Sequence, residues 1–152
     1  MQHIDIIKLE NYGDKRGALY NIPDTDLQFL DKIQNIHFGE IHPNSIRGNH
    51  YHHQGKEMLI ITYSDSWTLA WSEKDSADIS KEEFTGSGAV LIKVNEGIVH
   101  SVKNNGDKGF GNHCILREDI FQRRCRYIHQ NPSDVENSIS QKGASTRKMK
   151  YP

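Results

Sequence analysis

Turn-forming residues interrupt this chain at roughly 8–12-residue spacing, and the segments between them are too short for anything but strands. Ile4 to Leu9 opens the series, followed by Ile36 to Ile41, Met58 to Tyr63, Trp67 to Trp71, Ala89 to Val94, Ile98 to Lys103 and Gly111 to Leu116. Between them stand Asn11 to Gly17, Pro23 to Asp26, Pro43-Asn44-Ser45, Ser64-Asp65, Asn95-Glu96-Gly97 and Asn104 to Asp107, all rich in residues that bend the chain. Ser64-Asp65 reads as a hairpin turn, and the polar stretch from Ser72 to Glu83 as a surface excursion. Leu27 to Ile33 fits either a helical turn or an irregular connection. In the strand from Trp67, the alternation puts Trp67, Leu69 and Trp71 on one face, as core. The fold class predicted is all-β, a sandwich or barrel.

One stretch carries the chemistry: Arg47-Gly48-Asn49-His50-Tyr51-His52-His53-Gln54-Gly55-Lys56-Glu57. Side chains two apart on a strand share a face, so His50 and His52 point the same way and Tyr51 and His53 the other. Gln54-Gly55-Lys56 reads as a tight bend, after which Glu57 opens the next strand and can aim at the same spot. Two imidazoles and a carboxylate converging on a point suit a borderline divalent metal, and His100 is the candidate fourth ligand. A one-residue shift at Gly55 would turn Glu57 outward. The alternative reading of the four is a polar lining without metal, although unpaired buried imidazoles and a carboxylate are costly to keep.

With 152 residues the chain suits one domain with a single core. The expected division is residues 1–128 as the β domain and 129–152 as a polar, loosely ordered tail. A formal net charge of −1 argues against nucleic acid or a membrane surface as partner. No apolar run approaches the ~18 residues of a membrane helix, and the first residues lack a signal-peptide pattern, so a cytoplasmic protein is expected. Cys114 and Cys125 form no CxxC pair and are read as reduced thiols.

Two motifs together resemble the cupin superfamily. His50, His52 and Glu57 meet its H-x-H…E pattern, with Ser64 where a closing glycine is usual. Gly88, Gly97, His100 and Asn104 match its second motif, with Asn95 in place of the proline. The resemblance implies a jelly-roll β-barrel holding a metal through His50, His52, Glu57 and His100. A narrower resemblance rests on Asp14-Lys15-Arg16-Gly17 and on Arg47 to His53. These look like the D-x-R-G and R-G-x-H-Y patterns of deoxysugar-nucleotide 3,5-epimerases, and closer still like the metal-binding cupin domains of capsular-sugar enzymes. Glu57 stands where the metal-free epimerases carry a lysine, and their catalytic tyrosine has no clear counterpart.

The narrower resemblance implies a metal-dependent epimerase or isomerase acting on a keto-sugar or sugar nucleotide. The other readings are an oxygenase-type metal cupin and a non-catalytic metal or small-molecule binding module. The cofactor expected is a divalent transition metal, with Zn, Fe, Mn and Ni all compatible with three imidazoles and a carboxylate. Arg47 is a candidate clamp for a carboxylate or phosphate at the mouth, its plain alternative being a surface salt bridge. Tyr63 shares the parity of Glu57 and is a candidate general acid. Tyr51 is read as packing, and Asn104 as holding a turn through its side chain. Arg123, Arg124 and Arg126 read as a solvated basic face, or one that meets a nucleotide diphosphate or a partner subunit. His37, His42 and His113 have no assigned role. Pairing through edge strands would give a homodimer.

Overall fold

The structure is a computed structural model and describes residues 4–117 and 125–127. The expected tail, residues 129–152, lies outside the described residues, as do Ile128, Arg123 and Arg124. Among the described residues, ten strands run in chain order: β1 (Ile4–Lys8), β2 (Asn35–Ile41), β3 (Ile46–His52), β4 (Glu57–Tyr63), β5 (Trp67–Glu73), β6 (Ser80–Phe84), β7 (Gly88–Val94), β8 (Ile98–Asn104), β9 (Phe110–Arg117) and β10 (Cys125–Tyr127). A four-residue helix, α1 (Asp24–Leu27), follows Pro23. The strands form two antiparallel sheets, ordered β1-β7-β4-β9-β2 and β10-β3-β8-β5-β6.

Most successive strands lie in different sheets, β5 and β6 being sequence neighbours that pair. Ser64-Asp65 is therefore a crossing from one sheet to the other, not a hairpin turn, and Gln54 to Lys56 is likewise a crossing. Turn residues announce a change of direction, but they do not say which sheet receives the chain. The surface excursion also needs correction, because its end forms β6. Trp67 pairs with Phe84 and Leu69 with Glu82, so a polar strand is tolerated there as a sheet edge.

The interior between the sheets is apolar over most of its extent. Ile4, Ile41, Leu59, Ile61, Trp67, Leu69, Phe84, Val90, Ile92, Val94, Ile98 and Val102 form one buried cluster. Trp67 stacks on Phe84 at 4.1 Å between ring centroids and 7° between planes. The outer face of the first sheet is covered at β1, β7 and β4 by the segment around α1, where Leu27, Phe29 and Leu30 pack with Met58, Ile60 and Leu91. Two lysines fasten this strap: Lys93 Nζ meets Asp26 Oδ1 at 2.8 Å, and Lys56 Nζ donates to the Phe29 carbonyl at 3.3 Å. Among the described residues, no helix is long and apolar enough to cross a membrane.

β2 reverses the usual sense of a half-buried strand. His37 pairs with Ile115 and Ile115 with Leu59, a core residue, so Asn35, His37 and Gly39 take the inward positions. Ile36 and Phe38 point outward and are 50% and 77% exposed.

Candidate metal centre

Each candidate ligand reaches the common point for a local reason. On β8, His100 shares inward parity with Ile98 and Val102, both in the core. On β3, His50 pairs with His100, which sets His50 and His52 inward. Glu57 pairs with Val94, another core residue, and is 1% exposed. The bend at Gly55, at φ 98°, delivers Glu57 in the inward register. β4 and β8 thus lie opposite one another across the sandwich. His50, His52, Glu57 and His100 place one ligand atom each within 4.8 Å of the others.

Glu57 Oε2 lies 2.8 Å from His100 Nε2 and 3.1 Å from His52 Nε2. Ligands 2.0–2.1 Å from a common ion would stand about 2.9 Å apart at octahedral angles and about 3.3 Å at tetrahedral ones. The spacing therefore suits a first-row divalent cation. The hydrogen bonding points the same way. His100 Nδ1 lies 3.2 Å from the Ile98 carbonyl oxygen, which can only accept, so Nδ1 carries the hydrogen. A neutral imidazole in that tautomer turns the lone pair of Nε2 on a carboxylate oxygen, a repulsive arrangement that a proton or a cation between them relieves. Burial works to raise the Glu57 carboxyl, but His100 and then His52 outweigh it and hold it well below the usual range.

Backbone contacts fix the ligand-bearing strands. The Gly97 N–H donates to the His52 carbonyl at 2.8 Å. The register of β3 against β8 shifts between Gly48 and His50, leaving Asn49 as an extra residue. Gly48 and Asn49 have φ of 90° and 57°, a left-handed pair forming a β-bulge. A Cβ on Gly48 would stand 2.8 Å from the His100 carbonyl oxygen. The bulge also decides the fate of Arg47. In a regular strand residues 47 and 50 face opposite ways, yet here Arg47 pairs with Val102 and His50 with His100, both inward. Arg47 is exposed at the open side of the sandwich, where Nε donates to the Glu40 carbonyl on β2 at 3.0 Å.

Tyr63 does not join the four ligands. Its parity matches that of Glu57, but it stands six positions along β4, about 20 Å of extended chain. There its ring meets Trp67 at 5.6 Å and Phe84 at 5.9 Å. Burial, and secondarily Tyr20, raises its hydroxyl above the ordinary value. Parity identifies a face and says nothing of distance along it, which is why the sequence misplaces Tyr63 as a general acid for this centre. Tyr51 is buried on the other face, its hydroxyl 3.1 Å from Nε2 of the exposed His53. Asn104 closes a turn as expected: Nδ2 donates to the Ile41 and Lys108 carbonyls and Oδ1 accepts from the Gly106 N–H. His42 is exposed, and His113 pairs through its backbone with Gly39 and Ile61. His37 is the residue that sequence reasoning left without a role although its position faces inward. The polar, small set Asn35, His37 and Gly39 at alternate positions was the available signal.

Two antiparallel sheets joined by repeated crossings, with a three-histidine, one-glutamate cluster at one end, define a cupin-type jelly roll. The chain belongs to the polysaccharide biosynthesis C-terminal domain family, whose profile matches residues 12–125. No curated protein sequence matches it. Among solved structures, it is similar to the sugar 3,4-ketoisomerase QdtA from Thermoanaerobacterium thermosaccharolyticum in complex with TDP. That likeness has 15% identity and a TM-score of 0.63, covering 91% of this chain and 97% of the other. It is also similar to the dTDP-6-deoxy-D-glucose-3,5-epimerase RmlC from Legionella pneumophila, at 16% identity and a TM-score of 0.68 over 89% of this chain and 77% of that one. The capsular polysaccharide assembling protein CapF from Staphylococcus aureus matches at 18% identity and a TM-score of 0.55, over 78% of this chain and 31% of the longer one.

Proposed function

We propose that this protein is a metal-dependent isomerase or epimerase acting on a nucleotide-linked keto sugar. The observation that carries the reading is the inward convergence of His50, His52, Glu57 and His100 within 4.8 Å, in a fold whose solved relatives include a sugar 3,4-ketoisomerase and a dTDP-sugar 3,5-epimerase. A divalent cation held by these four residues would supply a Lewis acid for a sugar carbonyl oxygen. The chain contributes the rest. His100, anchored on Ile98, keeps its Nε2 aimed inward, and the apolar packing of Ile98 and Val102 beside it limits water. Arg47 stands at the mouth with one of its five N–H donors on Glu40, and the others suit a diphosphate oxygen. Its test is elemental analysis of untagged protein purified without chelator, beside His52→Ala, followed by exchange of solvent deuterium into a nucleotide-linked 4-keto sugar. Stoichiometric metal lost in the variant, with deuterium incorporated by the wild type, is expected. Metal in neither protein, even after incubation, sinks the ligand assignment. Oxygen consumption in place of exchange moves the protein to the oxygenase class.

We infer further that two copies associate through the outer face of β2. Met58 pairs with Leu116 and Leu116 with Ile36, while Ile60 pairs with Cys114 and Cys114 with Phe38. The outer apolar rows buried under the α1 strap therefore lead on to Ile36 and Phe38, which are exposed, as is the nearby Ile33. β2 is also a sheet edge among the described residues. An antiparallel pairing about a two-fold axis would place the patch against its own copy. Sedimentation should show a dimer that Phe38→Asp converts to monomer. A monomeric wild type at high concentration overturns it.

A further inference from the structure

His37 is half-buried, and its Nε2 is fully buried with no hydrogen-bond partner among the described residues. An unsatisfied nitrogen of this kind costs stability and calls for an explanation. Its surroundings supply one. His37 lies on the same inward face as Glu57, in the register row next to the Glu57 row: Glu57 pairs with Arg117 and Arg117 with Asn35, two residues before His37. Two strand spacings across and two residues along put the His37 backbone roughly 12 Å from that of Glu57. Asn35 and Gly39, the inward neighbours of His37 on β2, are polar or lack a side chain, whereas the inward positions of β7 and the lower part of β4 are packed apolar residues. On the facing sheet, the inward residues of β3 are Arg47, His50 and His52. The side of the sandwich between β2 and β3 is thus lined by polar groups from both sheets, joined at its rim by the bond from Arg47 to Glu40.

We propose that His37 is a substrate-binding residue, its Nε2 taking a hydrogen bond with a hydroxyl of the sugar ring bound at the four-ligand centre. A hydroxyl both donates and accepts, so it satisfies Nε2 in either tautomer of the ring. That property selects a polyol over an apolar or purely anionic ligand. The inference rests on the sugar-nucleotide reading above and adds the residue that recognises the sugar moiety itself.

The test separates binding from folding. His37→Leu removes the unsatisfied nitrogen, and His37→Gln keeps a polar atom near the same place. Metal-loaded wild type and both variants are measured for melting temperature and, by calorimetry, for affinity toward thymidine- and uridine-diphosphate 4-keto-6-deoxyhexoses and toward the nucleoside diphosphates alone. The expected result is that His37→Leu melts at the wild-type temperature or above, keeps its metal, and binds the sugar nucleotide roughly five- to tenfold more weakly. Affinity for the bare diphosphate stays unchanged, and His37→Gln recovers part of the loss. Equal affinity of wild type and His37→Leu for the sugar nucleotide overturns the inference while leaving the sugar-nucleotide function standing. A lower melting temperature for His37→Leu, with affinity intact, assigns Nε2 to a structural water. Failure of the wild type to bind any of the sugar nucleotides removes the functional reading, and this inference with it.

Discussion

β7 and β2 belong to the same sheet, yet they face the same interior with opposite chemistry. β7 turns Val90, Ile92 and Val94 inward, all at most 1% exposed; β2 turns in Asn35, His37 and Gly39 before it ends on the buried Ile41, and leaves Ile36 and Phe38 in solvent. The apolar side of the sandwich holds the fold together, and the polar side carries the candidate site. On the proposed function, stability and ligand binding reside in different residues, and substitutions should separate them.

The largest effect is expected deep in the apolar side. Trp67→Ala removes a fully buried ring stacked on Phe84, and should cost about 3–5 kcal/mol in denaturant unfolding. Protein that remains folded should keep its full complement of metal. If metal is lost in step with stability, the two sides are not separable.

Glu57→Gln should do the reverse. It keeps the shape of the side chain, removes the charged ligand, and should weaken metal retention more than about a hundredfold, beyond what loss of an outer-sphere partner costs. The same variant tests a pH dependence. The folded carboxyl lies well below its ordinary value of 4.5, so the unfolded chain takes up the proton first as the solution is acidified. Stability from this group is then fully present above the ordinary carboxylate value and is lost as pH falls through the lower folded value. Acid unfolding of metal-free wild type should show this component between those two limits, and Glu57→Gln should lack it.

Gly48→Ala is expected to cost about 1–3 kcal/mol, because the residue sits at φ 90° and the new Cβ would press on the His100 carbonyl. Metal affinity should fall with it, since His50 and His100 are paired across this contact. Unchanged affinity would mean that the bulge serves the backbone alone. The smallest effect belongs outside the sandwich. Lys93→Met breaks the partly buried pair with Asp26 while keeping most of the apolar stem, and should cost about 1 kcal/mol or less, with no change in metal or ligand binding.

The site was more legible in the sequence than the path of the chain. The convergence of His50, His52, Glu57 and His100 follows from parity and motif spacing. The connections follow less well: Ser64-Asp65 carries a turn signature whether it closes a hairpin or crosses between sheets, and only the pairing of β4 with β7 and of β5 with β8 settles it. β2 misleads for a physical reason. Alternation reports which residues share a face, and the assumption that the apolar face is the inner one fails where polar residues line the interior, as Asn35 and His37 do here. Tyr63 shows the complementary limit, since the same inner face that holds Glu57 ends among aromatic rings six residues away.

The bulge at Asn49 bears on how such a site could be gained or lost in evolution. Faces on a strand alternate like a parity bit, and an inserted residue inverts the bit for everything on one side of it unless a bulge absorbs it. Here the bulge absorbs Asn49, so Arg47 opposite Val102 and His50 opposite His100 both keep inward positions, and deleting Asn49 would leave them there. A regular strand that kept Asn49 would instead send Arg47 to the outer face and bring Ile46 to the mouth, exchanging a cation for an aliphatic side chain at the rim without substituting either residue. Within this family, replacement of the left-handed Gly48-Asn49 pair at constant length therefore deserves to be scored as a change of rim chemistry, although neither Arg47 nor a histidine changes.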